Sequence, residues 1–344
     1  MNTMRKITLN APFDLTIGTC PVPEPKAKEV RVRVEKIGVC GSDLTIYRGL
    51  HPYVSYPLVM GHEYSGSIDK LGEGVNGLQA GMRVAVIPHL VCGGCRACGD
   101  EMFNYCEQLR CTGAEADGAH CDYICVPDIM AVPVPKTMST EDAALLEPAC
   151  VAYHGAKRGN ITGNDNVLVI GAGPIGVFCM QCAKVLGASK VFIADLDKER
   201  LALAESLGAD GVIDVSRETL AQGTDRLCGD IDVYYDCVGE KGYVLNDILK
   251  IAKRGSRVVV LGVLQNDYVL PNLPDFVQHE LTLSGTTMYV PADYRAIVAF
   301  MSEGAISTAG MVTHRFPFED IPDVLRMLDK KELNSFKIII EMQQ

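Results

Sequence analysis

Residues 167–176 read VLVIGAGPIG, an apolar strand that runs directly into a Gly-x-Gly-x-x-Gly turn and then a helix. Gly171 provides the tight turn, Gly173 lets the backbone approach a pyrophosphate, and Gly176 lets the helix pack closely on the strand. The helix N-terminus then presents free N–H groups and the positive end of its dipole to a diphosphate. Because a strand precedes the glycines and a helix follows them, the pattern favours a dinucleotide site over a ligand-free turn. The predicted cofactor contacts are Gly171, Gly173, Pro174, Ile175 and Gly176.

A carboxylate follows at the position that selects between the two nicotinamide dinucleotides. Asp195 ends the second predicted strand, about 20 residues after Gly176, where a carboxylate binds the adenosine ribose hydroxyls and repels a 2′-phosphate. Lys198 and Arg200 are near in sequence, but the residue after Asp195 is Leu196 and not a basic residue. We therefore expect NAD as the cofactor, with Arg200 as a further contact.

Strands and helices alternate after this motif, whereas short strands and turns dominate the first third of the chain. The alternation predicts βαβ units and a parallel, doubly wound sheet, with further strands at residues 190–194, 211–215, 232–236, 257–261 and 281–284. Residues 29–37 alternate apolar and polar side chains and turn signals follow, which predicts a mostly antiparallel barrel or sandwich. A terminal strand at residues 336–341 has no place in the doubly wound sheet, so we expect it to return to the first domain. The fold class is α/β plus β.

The length and composition are those of an ordinary globular protein with about two domains. The chain has 344 residues, of which 48% are apolar and 22% charged, and its net charge is −11. The negative charge disfavours nucleic acid or an anionic membrane as a partner. Residues 167–188 are apolar, but a soluble strand–turn–helix explains them better than a membrane span. With no secretion signal at the start, we expect a cytoplasmic protein.

Four of the fourteen cysteines have the spacing of a metal site, Cys-x2-Cys-x2-Cys-x7-Cys. Four thiolates complete a tetrahedral zinc shell and leave no open position, which indicates a structural zinc; another metal, an iron–sulfur cluster or idle thiols are the alternatives. The ion would stabilise a lobe at about residues 89–108 whose glycines and polar residues cannot form a core. The four residues are Cys92, Cys95, Cys98 and Cys106. The other cysteines lack such spacing, and we expect small buried side chains there.

Three separate segments carry further metal-ligating side chains: Cys40-Gly41-Ser42-Asp43, Gly61-His62-Glu63 and Glu147-Pro148. Each alone could be a buried thiol, a core histidine or a solvated carboxylate. Together they offer a thiolate, an imidazole and carboxylates, which suit an open zinc site with room for an oxygen ligand.

These segments, the four-cysteine loop and the glycine motif together resemble the zinc-dependent medium-chain dehydrogenase/reductase family over nearly the whole chain. Residues 61–66 (GHEYSG) match its GHE-x-x-G signature. Glu147-Pro148 and residues 312–317 (VTHRFP) are similar to the polyol and sugar-acid branch, which includes sorbitol, threonine and galactonate/gulonate-type dehydrogenases. The resemblance implies a GroES-like, mostly antiparallel β-barrel catalytic domain from residues 1–150 and 290–344. It implies a Rossmann NAD-binding domain from residues 151–289.

By this resemblance, Cys40, His62 and Glu63 bind a catalytic zinc, with Glu147 at the fourth position directly or through water. Ser42 falls where the family has the hydroxyl that takes the substrate proton. The implied cofactors are two zinc ions per chain and NAD. The implied reaction is hydride transfer between NAD⁺ and a secondary alcohol of a polyol or sugar acid, in a homodimer or homotetramer.

The chain departs from its relatives at two points. Many relatives read Cys-Gly-[Ser/Thr]-Asp-x-His, and Thr45 stands where that histidine would be, so the motif does not define the outer proton path. Sorbitol dehydrogenases have an Arg-Tyr pair where this chain has Met288-Tyr289, which weakens sorbitol itself as the substrate.

Three other functions are compatible with parts of the pattern. A non-catalytic, NAD-binding sensor on the same scaffold has no need of a complete ligand set. A simple alcohol or threonine dehydrogenase would share all the motifs. A zinc hydrolase has no use for a dinucleotide fold, and the sequence has no His-Glu-x-x-His motif.

Overall fold

The computed structural model describes residues 2–239, 243–263, 269–270 and 273–342. The chain forms two compact units. The first comprises Met1–Glu147, Val290–Val298 and Val312–Gln344, and the second comprises Pro148–Tyr289 and Ala299–Met311. No helix in the described part of the chain is long and apolar enough to cross a membrane.

Strands dominate the N-terminal part of the chain, and from β10 onwards strands alternate with helices. In the N-terminal part the strands are β1 (Thr3–Ala11), β2 (Asp14–Pro21), β3 (Glu29–Val39), β4 (Glu63–Leu71), β5 (Arg83–Val86), β6 (His89–Leu90), β7 (Arg110–Cys111), β8 (Tyr123–Pro127) and β9 (Ala131–Pro133). The later strands are β10 (Asn166–Ile170), β11 (Lys190–Asp195), β12 (Gly211–Asp214), β13 (Val233–Asp236), β14 (Arg257–Val260), β15 (Thr282–Gly285), β16 (Val312–Pro317) and β17 (Lys337–Glu341).

The α-helices before residue 145 are short, and most of those after it are longer. They are α1 (Gly41–Tyr47), α2 (Arg96–Gly99), α3 (Thr140–Ala144), α4 (Leu146–Arg158), α5 (Pro174–Val185), α6 (Lys198–Ser206), α7 (Leu220–Leu227), α8 (Tyr243–Ile251), α9 (Leu273–Gln278), α10 (Pro291–Ser302) and α11 (Ile321–Asp329).

The first unit contains a mixed sheet with the order β16-β17-β3-β4-β5-β9, in which β8 also pairs with β3, and two separate two-stranded sheets, β1-β2 and β6-β7. The pairs are antiparallel except β16 with β17. Along β3, Val30, Val32 and Val34 are at most 2% exposed, so the alternation seen in the sequence is the alternation of buried and outer faces. Burial of each valine contributes about 1.5–3 kcal/mol.

The terminal strand β17 returns to this sheet, as the sequence predicts. It pairs antiparallel with β3, with Ile339 opposite Gly38. Its isoleucines at positions 338, 339 and 340 are at most 2% exposed, and this burial explains why the last strand remains with the first unit.

The second unit contains a fully parallel sheet with the order β12-β11-β10-β13-β14-β15. This is the doubly wound order 3-2-1-4-5-6, with the glycine motif directly after the central strand β10. Val167, Leu168 and Val169 are fully buried, which is expected of a parallel strand covered by helices on both faces.

One segment packs differently from the sequence-based domain division. Residues 299–311 were expected in the first domain, but Ala299–Met311 belongs to the second unit. The Phe300 ring contacts the Tyr153 ring edge-on at 5.7 Å between centroids. The buried Gln181 amide exchanges hydrogen bonds of 2.7 and 3.0 Å with the backbone of Ser307. The two hydrogen bonds satisfy the polar atoms of the buried amide, and together with the ring contact they hold the segment in place.

Candidate metal centres and dinucleotide site

Three ligand side chains converge in the first unit, at the start of α1 and at the start of β4. The ligand atoms of Cys40, His62 and Glu63 all lie within 4.8 Å of one another. His62 and Glu63 are 8% and 1% exposed, and Cys40 is half-buried. The structure therefore brings a thiol, an imidazole and a carboxylate to one point, which is the donor set that zinc accepts.

Asp43 orients two of these ligands. Its Oδ2 accepts the Cys40 backbone N–H at 2.8 Å, and its Oδ1 lies 3.4 Å from His62 Nδ1. A carboxylate behind one ring nitrogen fixes the orientation of a metal-binding imidazole and leaves the other nitrogen for the metal. Asp43 lies in the Cys40–Asp43 segment of the sequence, but only the fold shows its contact with His62.

The electrostatics of His62 reflect this arrangement. Burial lowers the pKa of the His62 imidazole, but the Asp43 carboxylate and then Cys40 raise it more strongly. The net pKa lies well above the ordinary value. The pocket therefore favours positive charge at this point, which a bound cation also supplies.

Ser42 and Glu147 lie close to the group in different ways. Ser42 Oγ is 3.4 Å from His62 Nε2, so the hydroxyl adjoins the nitrogen that faces away from Asp43. Glu147 is 5% exposed in the first turn of α4, and its carboxylate lies outside the 4.8 Å group of ligand atoms. Its charge and that of His62 both act on the buried Cys111 thiol.

Glu63 forms a buried ion pair that sequence reasoning missed. Its Oε2 contacts Lys337 Nζ, and the two side chains are 1% and 3% exposed. Lys337 also donates a hydrogen bond to the Val39 carbonyl at 3.0 Å. Burial lowers the pKa of Lys337, but Glu63 raises it more, so the lysine stays charged. The sequence feature that could have revealed this pair is the lysine at the start of the otherwise apolar segment KIII. A lysine buried in such a strand needs a partner of opposite charge.

The four-cysteine loop forms a second group in the first unit. Its ligand atoms also lie within 4.8 Å of one another, with 3.5 Å between the sulfurs of Cys95 and Cys98. Backbone N–H groups of Gly94 and then Cys95 lower the pKa of the Cys92 thiol to about 6. Four thiolates at this separation repel one another unless a cation lies among them. The complete group is Cys92, Cys95, Cys98 and Cys106.

The glycine motif of the second unit has the geometry of a phosphate-binding turn. Gly171 has φ +97°, and a Cβ on Gly176 would lie 1.7 Å from the Gly171 carbonyl oxygen. At Gly173 the nearest atom to such a Cβ is Arg200 Nη1 at 4.0 Å, so space is open there beside a guanidinium group. Pro174 begins α5 without a side-chain cap, which leaves the first N–H groups for a ligand.

Asp195 is held at the end of β11 by two backbone donors. Its Oδ2 accepts the Ala172 N–H at 2.6 Å, and its Oδ1 accepts the Asp197 N–H at 2.9 Å. A carboxylate oxygen has two lone pairs, so each oxygen can accept one further hydrogen bond. Asp195 therefore lies fixed beside the glycine turn with acceptor capacity remaining.

Comparison with known proteins identifies the family of this chain. Residues 26–136 match the family description "Alcohol dehydrogenase GroES-like domain", and residues 174–303 match "Zinc-binding dehydrogenase". L-galactonate-5-dehydrogenase of Escherichia coli K12 is 31% identical over 97% of this chain and 98% of its own length. The chain belongs to the zinc-dependent medium-chain dehydrogenase/reductase family, and within it to the polyol branch. The predicted family and fold class are confirmed.

Two solved structures share the fold over the whole chain. An alcohol dehydrogenase from Escherichia coli CFT073 in complex with NADH has 31% identity and a TM-score of 0.91, and the match covers 98% of this chain and 99% of the other. A zinc-binding dehydrogenase from Sinorhizobium meliloti 1021 bound to NADP has 28% identity and a TM-score of 0.91, with coverage of 99% and 100%. The chain is thus an enzyme of the zinc-containing alcohol dehydrogenase type that uses a nicotinamide cofactor.

Proposed function

We propose that this enzyme transfers a hydride between NAD⁺ and a secondary alcohol of a polyol or sugar acid. Cys40, His62 and Glu63 hold the catalytic zinc in this proposal. The observation that carries it is the convergence of these three ligand atoms within 4.8 Å, in a pocket where two of the residues are almost fully buried. The similarity to an L-galactonate dehydrogenase supports a polyhydroxylated substrate.

The residues present fit a catalytic zinc. One thiolate, one imidazole and one carboxylate make three protein ligands, which leaves a fourth position for an oxygen ligand. We assign the fourth position to Glu147, directly or through water, although its carboxylate lies outside the group of ligand atoms. The four cysteines of the loop hold the second, structural zinc.

The residues of the first unit then have separate tasks in alcohol oxidation. Zinc, when bound, makes the alcohol hydroxyl more acidic, and the nicotinamide accepts the hydride. Ser42 Oγ takes the hydroxyl proton and passes it outward. Asp43 holds the His62 ring in one orientation, and Lys337 holds the Glu63 carboxylate.

The choice of NAD rests on Asp195. Its two oxygens are fixed by the N–H groups of Ala172 and Asp197 and retain acceptor capacity for the two ribose hydroxyls. A 2′-phosphate would bring negative charge against this carboxylate. Arg200, beside Gly173, supplies a positive charge for the pyrophosphate.

The proposal is tested by a screen of NAD⁺ reduction over polyols, aldonates, threonine and simple secondary alcohols. We expect turnover with a polyhydroxylated substrate and loss of turnover in His62→Ala, with NADH binding retained. Cys20→Ser, a half-buried thiol on β2 outside both metal groups, is the matched control and keeps full turnover. NADH binding without turnover in the wild type would instead support a non-catalytic sensor. Turnover with threonine or a simple alcohol alone would exclude the polyol assignment.

A further inference from the structure

A loop of the first unit, residues 111–120, runs along the segment that leads to the His62 ligand. Three backbone N–H groups at the end of this loop donate to the carbonyls of residues 59–61 at 2.7 to 2.9 Å. A Cβ on Gly113 would lie 2.6 Å from the Gly61 carbonyl oxygen, so the loop backbone touches the residue directly before His62. The loop therefore has a fixed place beside the proposed catalytic zinc site.

Glu115 brings a carboxylate to this place. The side chain is half-buried, and its Oε2 accepts the Cys111 backbone N–H at 3.0 Å. The Glu115 N–H in turn donates to the Cys111 carbonyl at 2.8 Å, so the residue is held at both its backbone and its carboxylate. A glutamate carboxylate is negatively charged at neutral pH. In the part of the chain that the structure describes, no lysine or arginine forms an ion pair with Glu115.

The buried Cys111 thiol lies among the charges of this region. Burial raises the pKa of this thiol, and His62 lowers it. Three carboxylates then raise it again, so that the pKa is about 12, and they are those of Glu147, Glu115 and Asp43. The charge of Glu115 therefore acts in the same region as groups of the proposed catalytic site.

The charges around the zinc ligands do not offset Glu115. The Cys40 thiolate and the Glu63 carboxylate together balance the two positive charges of a bound zinc ion. Lys337, which contacts Glu63, supplies one positive charge, and Asp43 supplies one negative charge. The negative charge of Glu115 is then left without compensation from this group.

His51 does not neutralise Glu115 either. Burial lowers the pKa of the His51 imidazole, Glu115 raises it and His62 lowers it, so the net pKa lies below the ordinary value. At neutral pH the ring is therefore uncharged, and the carboxylate keeps its effect on a charged substrate.

We propose that Glu115 makes the substrate site select an uncharged polyol over a sugar acid. This inference rests on the proposed dehydrogenase function and narrows its substrate class. The carboxylate of an aldonate would meet the like charge of Glu115, whereas the terminal CH2OH group of an alditol carries no charge. At an effective dielectric constant of about 20, two unit charges about 8–10 Å apart repel enough to weaken binding by about tenfold.

The test compares alditols with aldonates of the same configuration: glucitol with gluconate, iditol with idonate, and galactitol with galactonate. In the wild type we expect kcat/KM to be about tenfold or more higher for the alditols, mainly through KM. Glu115→Gln keeps an oxygen acceptor for the Cys111 N–H. It should raise the ratio of kcat/KM for aldonate over alditol about tenfold. Glu73→Gln removes the same charge at an exposed turn beyond the far end of β4, and as the matched control it should leave the ratio unchanged.

Binding of gluconate to the enzyme–NADH complex gives a second readout that does not depend on turnover. Calorimetric titration should give a weaker affinity in the wild type than in Glu115→Gln. The difference should shrink when NaCl is raised from about 50 to about 500 mM, because salt screens the repulsion. Zinc content and NADH affinity should be the same in both proteins, which separates a charge effect from a structural one.

The outcomes distinguish this inference from the proposed function. If the wild type oxidises these compounds but Glu115→Gln changes neither the ratio nor the gluconate affinity, the Glu115 role is overturned and the dehydrogenase function stands. A wild-type preference for aldonates over alditols also overturns it. If the wild type oxidises neither class of compound, both proposals are overturned.

Discussion

Glu63 and Lys337 form an ion pair whose two side chains are only 1% and 3% exposed, although 274 positions of sequence separate them. The pair joins a ligand of the proposed catalytic zinc on β4 to the first residue of the terminal strand β17. The last strand of the chain therefore holds this proposed metal ligand in position as well as completing the sheet.

Removing the lysine should be strongly destabilising. In the zinc-free protein, Lys337→Met leaves the Glu63 carboxylate buried without its partner, and we expect a loss of about 3–5 kcal/mol in the free energy of unfolding. Glu63→Gln in the same chain should recover part of the loss. Lys36→Met removes the more exposed pair with Glu341 on the same sheet and should cost less than about 1 kcal/mol. Urea denaturation measures all four proteins, and a loss below 1 kcal/mol in Lys337→Met would contradict the argument.

Gly38 on β3 makes room for the Glu63 carboxylate. A Cβ at this position would lie 2.2 Å from Glu63 Oε2, so Gly38→Ala must displace the carboxylate or the strand. We expect a zinc affinity at least about tenfold weaker at the catalytic site, in the range that disruption of ligand positioning produces. Gly18→Ala on β2, where a Cβ meets nothing within 4 Å, is the control. Competition with a chromogenic chelator measures both variants, and equal affinities would show that Glu63 is not positioned through Gly38.

The coenzyme preference should depend on Asp195. Asp195→Ser removes the charge that accepts ribose hydrogen bonds and opposes a 2′-phosphate, so kcat/KM with NAD⁺ should fall about 10–100-fold. The ratio of kcat/KM for NADP⁺ over NAD⁺ should rise. Asp197→Asn, which retains the N-cap of α6, should leave the ratio unchanged. If the ratio of kcat/KM for NADP⁺ over NAD⁺ is unchanged in Asp195→Ser, Asp195 does not determine the selectivity for NAD.

Acid should weaken the second unit through Asp165. Burial raises the pKa of this carboxyl, but the Thr162 N–H at 2.6 Å and the Arg257 guanidinium at 2.5 Å lower it more, so it lies below the ordinary value. The contribution to stability is then complete above about pH 4, the ordinary value of an unfolded aspartate, and is lost as pH falls through the lower folded value.

The corresponding variant is Asp165→Asn. The difference in free energy of unfolding between wild type and variant should be constant from about pH 5 to 8 and shrink below about pH 4. Asp247→Asn, which removes an exposed pair with Lys250 on α8, should show little difference at any pH. If the difference in free energy of unfolding between wild type and Asp165→Asn instead grows on acidification, the folded-state pKa of Asp165 is not lowered and the prediction is wrong.

Local patterns in the sequence predicted the parts of the molecule whose residues are neighbours in the chain. Residues 167–176 contain the strand, the turn and the helix start within ten positions, and the parallel sheet follows from the alternation after them. The four-cysteine group is likewise contained in one loop. The individual ligands of the proposed catalytic zinc, by contrast, were predicted from the resemblance of three short segments to a family.

Relationships between distant positions could not be predicted in this way. Lys337 reads as one basic residue among many until β17 is paired with β3 and placed beside Glu63. Residues 299–311 follow Pro291–Val298 without a break in composition, and only the contacts of Phe300 and Ser307 assign them to the second unit.

Anomalous diffraction at the zinc edge, from crystals of the zinc-loaded enzyme, locates the metal ions themselves. We expect two peaks per chain. One should lie about 2.3 Å from the Cys40 sulfur and about 2.0–2.2 Å from a His62 nitrogen and a Glu63 oxygen, and the other should lie among the four cysteines of the loop. A single peak in the cysteine loop, with no metal at Cys40, His62 and Glu63 in a preparation that is catalytically active, would contradict the proposed catalytic zinc site.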